Sequence, residues 1–76
     1  HEDLKDPKTR LQERLQARGL ALPEYRVDTV EGEDHAQQFS VTCRVPALEA
    51  ETAGHGRSRR AAEQAAAADM LGQLDD

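Results

Sequence analysis

The sequence predicts an α+β domain of α-β-β-β-α order, in which two helices pack on one face of a three-stranded antiparallel sheet. Three observations carry this reading. Asp6-Pro7 is a helix-start signal, and it stands ahead of leucines spaced by four. The run Phe39 to Val45 alternates apolar and polar residues as a half-buried strand does. Gly54-His55-Gly56 leads through Ser58 into an alanine-rich segment with apolar residues at spacings of three and four.

The first helix is expected from Pro7 to about Arg18, with Gly19 as its stop and Leu11 and Leu15 marking its buried side. His1 to Asp6 reads as a tail or linker end whose last residue caps the helix. Leu20, Leu22 and Pro23 form an apolar linker expected to pack under the sheet. Tyr25 to Val30 reads as a strand and Gly32-Glu33-Asp34-His35 as a turn. In the strand from Phe39 to Val45, Phe39, Val41, Cys43 and Val45 face one way, and Ser40, Thr42 and Arg44 the other. Pro46 ends it. Glu49 to Gly54 is a third strand, deduced from its place between a turn and a glycine stop. The last helix is expected over Ser58 to Leu74, with Ala62, Ala65, Ala66, Met70 and Leu74 on its buried stripe. Asp75 and Asp76 form a short tail.

A chain of 76 residues is one small domain with a modest core. Tyr25 and Phe39 are its only aromatics, so leucine, valine and alanine must fill that core. The single cysteine, Cys43, excludes an internal disulfide and fits a reducing cytosol, so a cytoplasmic location is expected. Cys43 sits mid-strand on the apolar side, as a buried structural thiol does. No apolar run approaches a membrane span, and no membrane partner is expected. His1, His35, His55 and Cys43 lack metal-ligand spacing, and no Ser/His/Asp arrangement or P-loop is present, so no catalytic or metal-binding residue is assigned. Beginning at His1, the chain is expected to be a piece of something longer.

The formal net charge is −5, which at first argues against a nucleic-acid partner. The distribution argues otherwise. Five acids lie at the two ends (Glu2, Asp3, Asp6, Asp75 and Asp76), and residues 7 to 74 hold nine basic and ten acidic residues. Within this near-neutral body, Arg57, Arg59 and Arg60 cluster around Ser58 at a helix start. Cations there are unfavourable unless an anion compensates them, so the cluster reads as a phosphate site at a helix start, or as a solvated charged turn. The first helix carries a second face, Thr9, Gln12, Glu13 and Gln16, at i, i+3, i+4 and i+7. Its hydroxyl, amide and carboxylate groups suit ribose hydroxyls and base edges, and equally suit an ordinary solvated face. His35 is a short polar probe in its turn, or a solvent-facing loop histidine.

Two segments resemble the double-stranded RNA-binding domain over about residues 7 to 74. Asp6-Pro7-Lys8-Thr9-Arg10-Leu11-Gln12-Glu13 is similar to the opening of the domain at the C-terminus of bacterial ribonuclease III. Gly54 to Ala66 is similar to the closing signature of the family: glycine-x-glycine, a basic serine-led helix start, then an alanine helix. The resemblance implies that the first helix and the β1–β2 loop enter successive minor grooves, and that the second helix start holds the phosphates between them, over about 16 base pairs. Thr9, Gln12, Glu13 and Gln16 would then take one groove and His35 the other. Arg59 and Arg60 stand where the family has paired lysines, with Arg57 and Ser58 assisting. Two departures stand out. Glu63 occupies a position where many members have a third lysine and ribonuclease III domains often an acid. Glu33-Asp34 precedes His35 in place of Gly-Pro.

The resemblance implies shape-specific, largely sequence-independent binding of duplex RNA. The chain itself would not be an enzyme. Its parent would be an endoribonuclease processing rRNA and mRNA precursors, with magnesium and dimerisation belonging to an N-terminal nuclease domain. The acid-rich helix of that nuclease is absent from this sequence. A domain of this fold that pairs with protein instead of RNA is the competing reading.

Overall fold

Asp6 and Pro7 start the first helix as their chemistry dictates. In the computed structural model, which describes residues 5–75, Asp6 is extended and its carboxylate accepts from the Thr9 N–H at 2.8 Å, with Pro7 at the first helical position. Helix α1 (Pro7–Ala17) ends one residue before expectation. Gly19 takes φ +72°, the Gly19 N–H donates to Gln16 O at 3.0 Å, and the Leu20 N–H donates to Leu15 O at 2.9 Å. This is a Schellman closure, which only a residue at ease in the left-handed region completes without strain.

The sheet has the order β1-β2-β3, antiparallel throughout: β1 (Glu24–Glu31), β2 (Gln38–Val45) and β3 (Ala50–Gly56). The expected faces of β2 hold, with Val41, Cys43 and Val45 buried and Phe39 half-buried. Thr42, on the other face, is buried too, beneath Arg26 and Asp28: its hydroxyl donates to the Asp28 carboxylate at 2.5 Å. Asp28 is the extra residue of a bulge, since Val27 pairs with Val41 and Thr29 with Ser40. The bulge brings Val30 opposite Phe39 on the helix side.

β3 lies later than the sequence suggested. One turn of 3₁₀ helix (Pro46–Leu48) follows β2, and Glu49 leaves it at φ 52°, so Glu49 reverses the chain and cannot join the strand. At the other end, Ser40 and Phe39 pair with His55 and Gly56 and carry the strand two residues past Gly54.

Helix α2 (Arg59–Asp75) is capped by Ser58, whose hydroxyl accepts from the Ala61 N–H at 3.0 Å. It runs on through Asp75, which forms an ion pair with Arg14 of α1 rather than trailing as a tail. Its buried face is Ala62, Glu63, Ala66, Ala67, Met70 and Leu71. Ala65, expected on that stripe, is exposed, and Leu74 is half-buried at its edge. Leu11 and Leu15 meet Met70, Leu71, Cys43 and Val45 in the core, joined by Leu20 and Tyr25. Leu22 is a correction: it is 50 % exposed and does not pack under the sheet. Burial raises the pKa of the Cys43 thiol, in keeping with an inert structural role.

The packing of α2 on β3 is backbone to backbone. A Cβ at Gly54 would stand 2.2 Å from Ala66 N and 2.4 Å from Ala62 O. The helix cannot yield there, because the Thr52 hydroxyl donates to Ala66 O at 2.7 Å on the same seam. Gly54→Ala is therefore expected to lower the unfolding free energy by about 3 kcal/mol. Gly72→Ala, where a Cβ meets nothing within 4 Å, should raise it by about 1 kcal/mol through helix propensity. Urea unfolding of both variants checks the two signs together.

Candidate nucleic-acid interface

The caps that start the two helices also bring those starts together. Gln64, one turn into α2, accepts from the Lys8 N–H at 3.0 Å and donates to Asp6 Oδ2 at 2.9 Å. Arg60 Nη2 lies 3.6 Å from the same Asp6 oxygen. Thr9 and Gln12 of α1 thus border one cleft of about 420 Å³ with Lys8, Arg60, Gln64 and the exposed Leu22. The third patch follows from register. Glu31 pairs with Gln38 and Phe39 with Gly56, so the loop bearing His35 leaves the sheet at the end where Arg57 follows β3.

Thr9, Gln12, Glu13 and Gln16 are all exposed. Glu13 stands somewhat apart from Thr9 and Gln12: both its carboxylate oxygens accept from Lys5 Nζ, at 2.9 and 3.0 Å, and it borders a separate groove with Arg10. His35 is exposed in a tight turn closed by the Ala36 N–H on Glu33 O at 2.8 Å. Gly32 makes that turn possible, with φ +96° and Ala36 O where a Cβ would sit.

The arginines differ among themselves. Arg59 Nε donates to Glu63 Oε2 at 2.9 Å, yet its side chain stays 59 % exposed. Arg60 is 80 % exposed beside Asp6. Arg57 makes no side-chain hydrogen bond or ion pair among the described residues. Part of the anion that a cationic helix start calls for is therefore internal, supplied by Glu63 and Asp6. The outward surface of the guanidiniums remains for a ligand.

Lys8, Tyr25 and Gln64 escaped the sequence reading of this seam, and Glu63 stood out there only as an acid where many members have a lysine. Lys8 Nζ donates to Glu63 Oε1 at 2.5 Å and lies 4.9 Å from the centre of the Tyr25 ring. Burial pushes the Glu63 carboxyl up, but the hydrogen bonds and charges of Lys8 and Arg59 outweigh it and hold it below its ordinary value. The Thr9 backbone N–H first, then the Thr9 and Gln64 side chains, hold Asp6 down likewise. Burial raises the phenol of Tyr25, whose hydroxyl has no hydrogen-bond partner of good geometry among the described residues. Among those residues there is also no group of three or more His, Cys, Asp or Glu placed to hold a metal ion, and no helix long and apolar enough to cross a membrane.

The profile of the family described as the double-stranded RNA binding motif matches residues 7–74. The chain belongs to the double-stranded RNA binding motif family. It is 59 % identical over 71 residues to Ribonuclease 3 of Photobacterium profundum, covering 93 % of this chain and 32 % of that protein. With Ribonuclease 3 of Pseudomonas aeruginosa the identity is 58 % over 67 residues, 88 % of this chain and 29 % of the other. The chain thus spans about a third of the length of the relatives it matches. Among solved structures, Arabidopsis HYL1, described for its implications for miRNA processing, superposes with a TM-score of 0.79 at 33 % identity, over 92 % of this chain and 97 % of that one. The paired domains of DRB4 give a TM-score of 0.71 at 25 % identity, over 99 % of this chain and 47 % of that one.

Double-stranded RNA binding stands as the function of this motif. Its stability should depend on pH through the seam. Asp6 and Glu63 have folded pKa values below their unfolded ones. Such groups stabilise the fold above the unfolded pKa, and that stabilisation is lost as pH falls through the folded pKa. Urea unfolding should show stability level near neutrality and falling from roughly pH 5 downward. Asp6→Asn, which keeps a capping oxygen without the charge, should show a shallower fall.

Proposed function

We propose that the motif reads duplex RNA by shape, with the start of α1 in one minor groove, the β1–β2 loop in the next, and the start of α2 on the phosphates between. The observation that carries this reading is the shared cleft, which sets Thr9 and Gln12 directly beside Arg60. In this reading Thr9, Gln12, Glu13 and Gln16 meet ribose hydroxyls and base edges, and His35 reaches the second groove. Arg57, Arg59 and Arg60 take phosphate oxygens, and Ser58 fixes the helix end from which they project. Contact through backbone and 2′-hydroxyls carries little sequence information, which fits duplex binding of low sequence preference.

We further propose that the parent protein is a ribonuclease III-type endoribonuclease acting on duplex RNA, such as rRNA and mRNA precursors, in the cytoplasm. The identity to Ribonuclease 3 of two organisms supports this. Cleavage, the magnesium it would use, and dimerisation belong in this reading to a separate nuclease domain, and no residue of this chain is assigned to them. The competing reading, a protein-pairing module, finds little support in the outer face of the sheet. That face is laid out in paired charges, with Arg44 Nη1 3.4 Å from Glu24 and Arg44 Nε 3.7 Å from Glu51, rather than as an apolar patch.

Titration against a duplex RNA of about two turns, beside the matching single strand and DNA duplex, tests the reading. Binding confined to duplex RNA and weakened by salt is the expected result. Arg59→Ala combined with Arg60→Ala should weaken all duplex sequences alike and lower the salt slope by about 2. Gln12→Ala should weaken RNA without changing any base preference. Equal binding of the RNA and DNA duplexes would reject shape reading. No nucleic-acid binding together with tight self-association would favour the protein module.

A further inference from the structure

Glu63 is the one buried charged side chain among the described residues, 8 % exposed. At that depth it is withdrawn from any phosphate, and as an acid it would repel one. Its two oxygens serve two helices. Oε1 accepts from Lys8 Nζ of α1 at 2.5 Å, and Oε2 accepts from Arg59 Nε of α2 at 2.9 Å. Lys8 Nζ lies over the Tyr25 ring, 4.9 Å from its centre, and the Lys8 N–H donates to the Gln64 side chain at 3.0 Å. Arg59 is pinned by Nε alone, so both terminal nitrogens are left to a ligand, on a side chain 59 % exposed.

We propose that Glu63 is a positioning residue for duplex RNA binding: through Lys8 and Arg59 it fixes the spacing between the groove-facing start of α1 and the phosphate-facing start of α2. The inference rests on the function proposed above and deepens it. A rigid duplex presents its grooves and phosphates at set distances, so two patches that wander relative to each other lose affinity. Lys8–Glu63–Arg59 is the charged link between those patches that passes through a buried carboxylate; the Gln64 amide and the more exposed Arg60–Asp6 pair at 3.6 Å are the others.

The sign of the effect makes the test sharp. Removing a negative charge beneath the phosphate-facing helix start should tighten binding if only the local field matters. Positioning requires the opposite. Glu63→Gln is expected to bind duplex RNA about threefold to tenfold more weakly than the parent chain. The protected Nε–H resonance of Arg59 in NMR spectra of the free chain should be lost with it. Lys8→Met should weaken binding comparably, and the double variant should be no weaker than the weaker single one, because both break one link. Affinity in Glu63→Gln equal to or tighter than the parent's, or additive losses in the double variant, would overturn the proposal. Should Glu63→Gln fail to fold, Lys8→Met decides through its salt dependence: weakened affinity at an unchanged salt slope supports, while unchanged affinity, or a slope lower by about 1 as for a lost phosphate contact, overturns. A parent chain that binds no duplex RNA brings down the function proposed above together with this inference. A parent that binds, with a Glu63→Gln variant that binds equally, brings down this inference only.

Discussion

The seating of α2 on β3 is the contact on which the rest of the structure depends. Two backbones meet there with no side chain between them at Gly54, and at Gly56 the Ala61 methyl group joins the backbone of Ala61 and Ala62 in close approach. Close approach fixes the direction of the helix more tightly than interlocking side chains would, because no rotamer can adjust to absorb a tilt. It also explains the composition of the helix. Ala62 and Ala66 stand at the close approach to Gly54, and the larger Met70 and Leu71 join Leu11 and Leu15 in the core. A core with so few large side chains is shallow, so the seam of polar contacts between the helix starts counts for more in holding α1.

That seam also reconciles an acidic chain with the phosphate-binding role proposed for it. Glu24, Asp28 and Glu51 lie on the outer face of the sheet, away from the helices, each within reach of Arg26 or Arg44. Asp6 and Glu63 are spent on the helix starts themselves. Cations at a helix N-terminus oppose the helix dipole, and these two carboxylates offset part of that cost within the fold. The guanidiniums keep their outer surface, and a ligand responds to the field at that surface, not to the net charge of the chain.

The parts of the fold written in short stretches of sequence were legible. Asp6-Pro7, the alternation of β2 and the serine-led start of α2 each act through neighbours in the chain. The failures share one cause: the deciding partner is distant or the local signal is mute. Ala65 was placed on the buried stripe because a run of alanines from Ala65 to Ala68 carries no phase, and the sheet, not the sequence, selects Ala66 and Ala67. β3 was set too early because Glu49 takes a left-handed turn that its residue type does not announce. Leu22 read as core on hydropathy and instead lines the cleft. The exposure of the α1 and α2 faces proposed for the interface was legible from periodicity and resemblance. The link between them was not, since Lys8 and Glu63 lie 55 residues apart. The one trace in the sequence was an acid where many relatives carry a lysine.

In the proposed interface, the three arginines would divide the work by how firmly each is held. A free arginine carries about 2 kcal/mol of side-chain rotamer entropy, part of which is lost whenever it settles on a phosphate. Arg59 has lost some of it already, in folding, through its bond to Glu63. Arg60, 3.6 Å from Asp6 and 80 % exposed, is tethered only loosely, and Arg57 is held by no partner among the described residues. In the binding mode proposed above, one fixed cation would set the register of the helix on the backbone, and two adaptable ones would follow the phosphates wherever local helical geometry puts them. A surface built from equally rigid cations would demand one phosphate spacing and would bind irregular duplexes poorly. A surface of equally free ones would bear the full ordering cost at every contact. The mixture suits a ligand that is regular in form and variable in sequence.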